Sequence, residues 1–250
     1  MAMVEVHEYE KHDFRNTVAI IGFPSFGLVS SIAASYLARE LKLELVAGMT
    51  SPDFPPYCII QNGVPMPQIR MYSGCRNLSE DGEKGIDCDE IAVITSEFIP
   101  KPEQYYDIAK AIMSWLESSG IHNVIVLDGI PMFKPDTYEI IGAGSTDLAR
   151  EVMKTFEIEP FDDGMVRGLA GLLLYEGSQK GVNVISLLGS AKSEFPDPKG
   201  AAVFMDVISR MLPEINIDTE PLYLEAEDLE KKLNKKIQPA SSASDGILYG

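Results

Sequence analysis

Positive charge is what this chain most lacks. Its 250 residues hold 21 Lys and Arg against 38 Asp and Glu, a formal net charge of −17. Nucleic acid and anionic membrane surfaces are poor partners for it, because both are bound through clustered Lys and Arg. A basic protein surface is the better electrostatic match. Cysteine is scarce: Cys58, Cys75 and Cys88 are odd in number and widely spaced. That pattern suggests neither a disulfide framework nor a zinc knuckle, and points to a reducing, cytoplasmic setting. The three histidines, His7, His12 and His122, have no partners at metal-ligand spacing. No apolar run approaches the length of a membrane span, and the charged start lacks a signal-peptide core. Neither G-x-G-x-x-G nor a P-loop occurs, so no nucleotide or other cofactor is expected.

What is present is an ordinary apolar share of 45% arranged in alternating strand and helix patterns. Thr17 to Gly22 is a β-branched run that stops at glycine, as a strand buried on both faces does. Phe23 to Gly27 makes a turn, and Val29, Ile32, Ala33, Tyr36, Leu37 and Leu41 then share one helical face. Leu43 to Met49, Tyr57 to Gln61 and Gln68 to Ser73 are short β-like runs broken by prolines, which reads as hairpins or an edge excursion. Arg76 to Asp89 is acidic and reads as an exposed loop. Ile91 to Thr95, Val124 to Leu127 (ending at Asp128-Gly129) and Val182 to Leu188 are further buried strands. Helices are expected after Pro102, over Thr146 to Phe156 with Leu148, Ala149, Val152, Met153 and Phe156 in phase, and over Gly168 to Leu174. A further helix opens at Asp197-Pro198, where Asp caps free amides and Pro fits the first helical position. Leu222, Ala226, Leu229, Leu233 and Ile237 mark a last amphipathic helix. The repeated βα pattern with one β-rich insertion predicts a single α/β domain over residues 1–237, a three-layer α/β/α sandwich with a mostly parallel sheet.

Chemistry-bearing residues are few. Gly22 to Gly27 lies on a strand-to-helix turn, where phosphates often bind. Ser25 could be called a nucleophile there, but no G-x-S-x-G elbow surrounds it. Glu97, Asp128, Asp162 and Asp163 fall near strand ends or loops, where carboxylates serve as acids or bases or simply solvate a loop. The Gly168 to Leu174 glycines permit close backbone packing. After residue 237 the composition changes. Gln238 to Gly246 is polar and small, a stretch that reads as a flexible tether, and the chain closes on Leu248, Tyr249 and Gly250. An apolar residue, a tyrosine and a free carboxylate form a tip that can enter a pocket on another protein.

Three blocks carry a resemblance. The strand leading into Gly22-Phe-Pro-Ser-Phe-Gly27, the segment Gly168-Leu-Ala-Gly-Leu-Leu-Leu174, and Pro196-Asp-Pro198 followed by Ala201-Ala202 fall in the order found in the archaeal proteasome assembly chaperone family. The chain resembles that family over residues 15–237. The resemblance implies a fold similar to the nucleoside phosphorylase-like folds without enzymatic activity, and a homo-oligomer or an assembly with a paralogue. It also gives Leu248, Tyr249 and Gly250 a role as a hydrophobic–tyrosine–any motif that enters pockets between α-subunits of the 20S proteasome. Gly250 supplies only its carboxylate. The rival expectation is an enzyme acting on a nucleoside or another phosphate-bearing molecule through the Gly22–Gly27 turn.

Overall fold

The structure is a computed structural model. It describes residues 4–237 except 10, 11, 13, 15, 77–88, 133, 135, 136, 193, 194 and 216, with side chains described up to residue 228. In chain order the strands and helices are β1 (Glu5–Glu8), β2 (Val18–Gly22), α1 (Val29–Glu40), β3 (Glu44–Thr50), β4 (Ile59–Gln61), β5 (Val64–Met66), β6 (Ile69–Cys75), β7 (Glu90–Ser96), α2 (Tyr105–Ser118), β8 (Asn123–Pro131), β9 (Ile140–Gly144), α3 (Asp147–Thr155), β10 (Glu159–Pro160), α4 (Gly168–Lys180), β11 (Asn183–Ala191), α5 (Pro198–Met211) and α6 (Glu220–Ile237).

Nine strands form one mixed sheet in the order β1-β3-β6-β7-β2-β8-β11-β9-β10. The central strands β7, β2, β8 and β11 run parallel, in register Val18 to Ile91, Val18 to Asn123 and Asn183 to Asn123. Helices cover both faces. Ile20, Leu37, Phe204 and Ile208 belong to the core under α1 and α5, and Ile21, Ile108, Met113 and Leu173 to the core under α2 and α4. This is the layered α/β architecture expected from the alternating pattern. The β-rich insertion is also present. Its strands β3 and β6 join the sheet antiparallel, and β4 and β5 form a separate hairpin. Asn62 and Gly63, both at positive φ, make its two-residue turn.

Several local expectations need correction. The N-terminal segment holding His7 forms edge strand β1, paired with β3; its exposed Glu5, His7 and Glu8 keep that edge from pairing further. Strand β9 was not foreseen: its two glycines hide it, and its pairing with β11 is antiparallel. Strand β8 runs past Asp128 to Pro131. Leu148 points to solvent (54% exposed), because the short helix α3 buries only Ala149 and Met153. Most of the acidic loop lies outside the described residues. Arg76 at its base is buried, though, donating to Glu214 and to the Asn16 carbonyl. Cys75 is disulfide-bonded, while Cys58 is a free exposed thiol. The reading of a reducing compartment loses that support. Leu229, Leu233 and the tail likewise lie outside the described side chains.

Packing is close where α1 lies on the end of β2. A Cβ added at Gly22 would sit 2.3 Å from the Ser30 carbonyl oxygen and 2.6 Å from Ala34 Cβ. Backbone cannot yield there as a side chain would, so Gly22→Ala is expected to cost about 2–3 kcal/mol. A lowered urea midpoint at unchanged m-value is the readout.

Candidate functional site

After β2 the chain builds β3, β6 and β7 on one side of that strand and then crosses to β8 on the other. The carboxyl ends of β2 and β8 therefore flank a topological switch point, where α/β sheets bind ligands. A cavity of about 600 Å³ opens there, walled mainly by apolar groups that include Phe23, Phe26 and Phe161. Its polar members are Ser25, Tyr105, Asp128 and Arg167.

The Gly22–Gly27 turn forms one wall. It is a single 3-10 turn, Phe26–Leu28, with Gly27 and Leu28 both left-handed. Ser25 Oγ accepts from the Gly129 N–H at 2.9 Å and shares a 2.5 Å hydrogen bond with Ser30 Oγ. The hydroxyl therefore ties the turn to β8 and α1. No histidine lines the cavity beside it, so the nucleophile reading gains nothing.

The turn is also bolted to the start of α5. The Asp197 N–H donates to the Gly27 carbonyl at 2.7 Å. A Cβ on Gly27 would lie 2.6 Å from the Lys192 carbonyl oxygen, and φ there is +58°. The buried Asp197 carboxylate accepts from Gly200 N–H (3.0 Å), Lys192 N–H (2.9 Å) and the Tyr138 hydroxyl (3.0 and 3.1 Å). This cap, which the dipeptide Asp197-Pro198 announces, thus joins two blocks 170 residues apart in sequence. The third block, at the start of α4, borders the same cavity. Gly168 takes φ +61° beside the Tyr105 ring, and a Cβ on Gly171 would meet the Val166 carbonyl oxygen at 2.2 Å. The three blocks meet at one end of the sheet.

Of the carboxylates singled out from sequence, only Asp128 lines this cavity. Glu97 pairs with Arg70 elsewhere, and Asp162 and Asp163 are exposed. Of the histidines, His7 bonds Thr50 Oγ1, His12 pairs with Glu90, and His122 is exposed before β8. Tyr105, Phe161 and Arg167 were not foreseen. Each comes from a segment that only tertiary folding brings to the switch point.

Burial pushes the Asp128 carboxyl up to about 7, with a hydrogen bond from the Gly129 backbone pulling weakly the other way. Burial also raises the Tyr105 phenol, and the neighbouring Asp128 raises it further. An unfolded aspartate titrates near 4. Between about 4 and 7 the native state holds a proton that the unfolded chain has released. Stability therefore falls as pH rises through that window and is level above it. Asp128→Asn is expected to stabilise the fold by about 2–3 kcal/mol at pH 8 and to change little at pH 4. Melting curves at the two pH values provide the check. An apolar cavity with one such carboxyl and one exposed guanidinium favours neutral over polyanionic occupants.

Comparison with known proteins gives a consistent outcome. The model of the PAC2 family matches residues 19–237. The crystal structure of Pyrococcus furiosus PbaA, described as an archaeal homologue of a proteasome-assembly chaperone, is 30% identical with a TM-score of 0.79, covering 94% of this chain and 91% of that one. Pyrococcus furiosus PbaB, described as an archaeal proteasome activator, has the same fold at 24% identity and a TM-score of 0.79, covering 94% and 99%. An uncharacterized protein of Methanocaldococcus jannaschii is 28% identical over 228 residues, 91% of this chain and 88% of its own.

Proposed function

The chain belongs to the PAC2 family, and on that premise we propose that it is a non-enzymatic, ATP-independent assembly chaperone or cap of the 20S proteasome. In this reading it works in the cytoplasm as a homo-oligomer, or with a paralogue. It inserts Leu248, Tyr249 and the Gly250 carboxylate into pockets between α-subunits of the ring. The observation that carries the reading is the 30% identity to PbaA along 94% of the chain.

The residue types support the docking step, though residues 238–250 lie outside the described part of the structure. Leu248 brings apolar surface, and Tyr249 brings a large stiff ring with one hydroxyl to pair, the chemistry of a hot-spot anchor. The carboxylate pairs with a basic pocket group. Residues 238–247 form a tether with an r.m.s. reach of about 15–20 Å. Several tails on one oligomer raise the local concentration, so individually weak tips dock together. The net charge of −17 suits a basic ring surface. Among the described residues no helix is long and apolar enough to cross a membrane. Incubation of the full chain with purified 20S particles without nucleotide, followed by sedimentation, tests the reading: the chain is expected in the particle fraction.

A further inference from the structure

A second cavity, of about 490 Å³, lies apart from the switch point, between α1, the β4–β5 hairpin and the β6–β7 pair. Its floor holds Arg70, which is 4% exposed. The sheet puts Arg70 opposite Thr95 of β7. Its neighbours Ile69 and Met71 face the opposite core, leaving Arg70 on the α1 side with Tyr72. The guanidinium meets Glu97 through Nη2. Nε and Nη1 have no hydrogen-bond partner among the described residues. The Tyr72 phenol stands within hydrogen-bonding reach of the guanidinium and donates to Gln61 Oε1 at 3.5 Å.

A buried cation with two idle donor nitrogens is costly unless something pairs with it. Two more cations line the same cavity, Arg39 and Lys42. Arg39 reaches Glu40 at 3.4 Å, whereas Lys42 has no ion-pair partner among the described residues. This clustering of three cations stands out in a chain with 21 basic and 38 acidic residues. Lys42 also sits where a glycine is cheaper. It follows the last turn of α1 with φ +51°, its N–H donating to the Arg39 carbonyl and the Leu43 N–H to the Ala38 carbonyl. That is the left-handed position after a helix that glycine usually takes. A side chain held there at a backbone cost, on a residue that lines a cavity with an underused arginine, is consistent with a use for its charge. Ser35 and Thr95 add hydroxyls, 3.5 Å apart, to the same lining.

We propose that this cavity binds a phosphoryl group, free or carried on a small hydroxylated molecule, with Arg70 and Lys42 as its principal contacts and Arg39 at the rim. A phosphoryl group offers several acceptor oxygens and a charge near −2, which matches idle Arg donors and a lysine point charge. The neutral hydroxyls and amide of Ser35, Thr95, Tyr72 and Gln61 then face the carrier. Glu97, half-exposed and bonded to only one nitrogen of Arg70, opposes the anion and limits its affinity.

The test uses the full-length protein in calorimetric titrations at low ionic strength with inorganic phosphate, ribose 5-phosphate, ribose and succinate. Binding of phosphate or ribose 5-phosphate, but not of ribose or succinate, is expected. The tighter of the two phosphoryl probes tells free phosphate from a carried one. Arg70→Met is expected to weaken that binding by about 30-fold or more, the value of charge-assisted hydrogen bonds lost together. Lys42→Gly is expected to weaken it by about fivefold while holding or raising the melting temperature, so a lost signal there is not lost folding. Glu97→Gln is expected to tighten it by about threefold, which a purely structural Arg70–Glu97 pair does not explain. No binding of either phosphoryl probe at millimolar concentration, equal binding of succinate, or unchanged binding in folded Lys42→Gly and Arg70→Met overturns the proposal.

Discussion

Deleting Leu248, Tyr249 and Gly250 is expected to lower affinity for the 20S particle by about 100-fold or more while leaving the melting temperature unchanged. The magnitude follows from what the three residues bring. A buried tyrosine at the centre of a pocket is among the side chains whose truncation costs most at interfaces, about 2 kcal/mol or more. The leucine adds buried apolar area at roughly 25 cal/mol per Å², and the carboxylate adds a charge-assisted contact. Because each tail of an oligomer loses its tip at once, the multivalent gain disappears with the single-site affinity. Two variants separate these contributions. Tyr249→Phe is expected to keep most of the binding, since it loses one hydroxyl but no ring. Tyr249→Ala is expected to lose most of it. Quantitative co-sedimentation over a range of particle concentrations reads all three, and equal binding by the deletion variant removes the tail from the account without touching the family assignment.

The second large effect falls on stability. Asp197→Ala is expected to cost about 3–5 kcal/mol, combining a lost helix cap with the loss of an acceptor that several partly or fully buried donors share. Three groups lose their acceptor together: the Gly200 and Lys192 N–H groups and the Tyr138 hydroxyl. Asp197 lies against the Gly22–Gly27 turn, so loss of the carboxylate loosens the turn and one wall of the switch-point cavity together with α5. Asp197→Asn is expected to cost less, because one acceptor oxygen remains. In a chain of this size the alanine variant is expected to melt about 10 °C lower. A shift of no more than a degree or two shows that these contacts are not the joint between the blocks.

How much of this was readable in the sequence depends on whether the signal was local. Strands β2, β7, β8 and β11 were legible because burial on both faces writes a continuous apolar run, as in Ile20-Ile21 and Ile91 to Ile94, all fully buried. The start of α5 was legible because Asp197-Pro198 is cap chemistry contained in two adjacent residues. Strand β9 was not, because Ile140 to Gly144 becomes a strand through its distant partners β11 and β10. The phase of α3 was misread at Leu148 because a helix over a sheet edge buries a narrower stripe than periodicity suggests. Asp128 was named as a strand-end carboxylate. Its cavity was not visible, since Tyr105, Phe161 and Arg167 come from three other segments. Arg70 is legible as a lone charge inside the run Ile69-Arg70-Met71, whose apolar members are fully buried, a pattern that marks either a core ion pair or a site.

The most direct measurement of the central claim is the mass of the 20S particle after mixing with the intact chain without nucleotide, run beside the chain that stops at Ile247. The account predicts added mass with the intact chain and none with the shortened one at the same concentration. No added mass with the intact chain, or equal added mass with both, contradicts it.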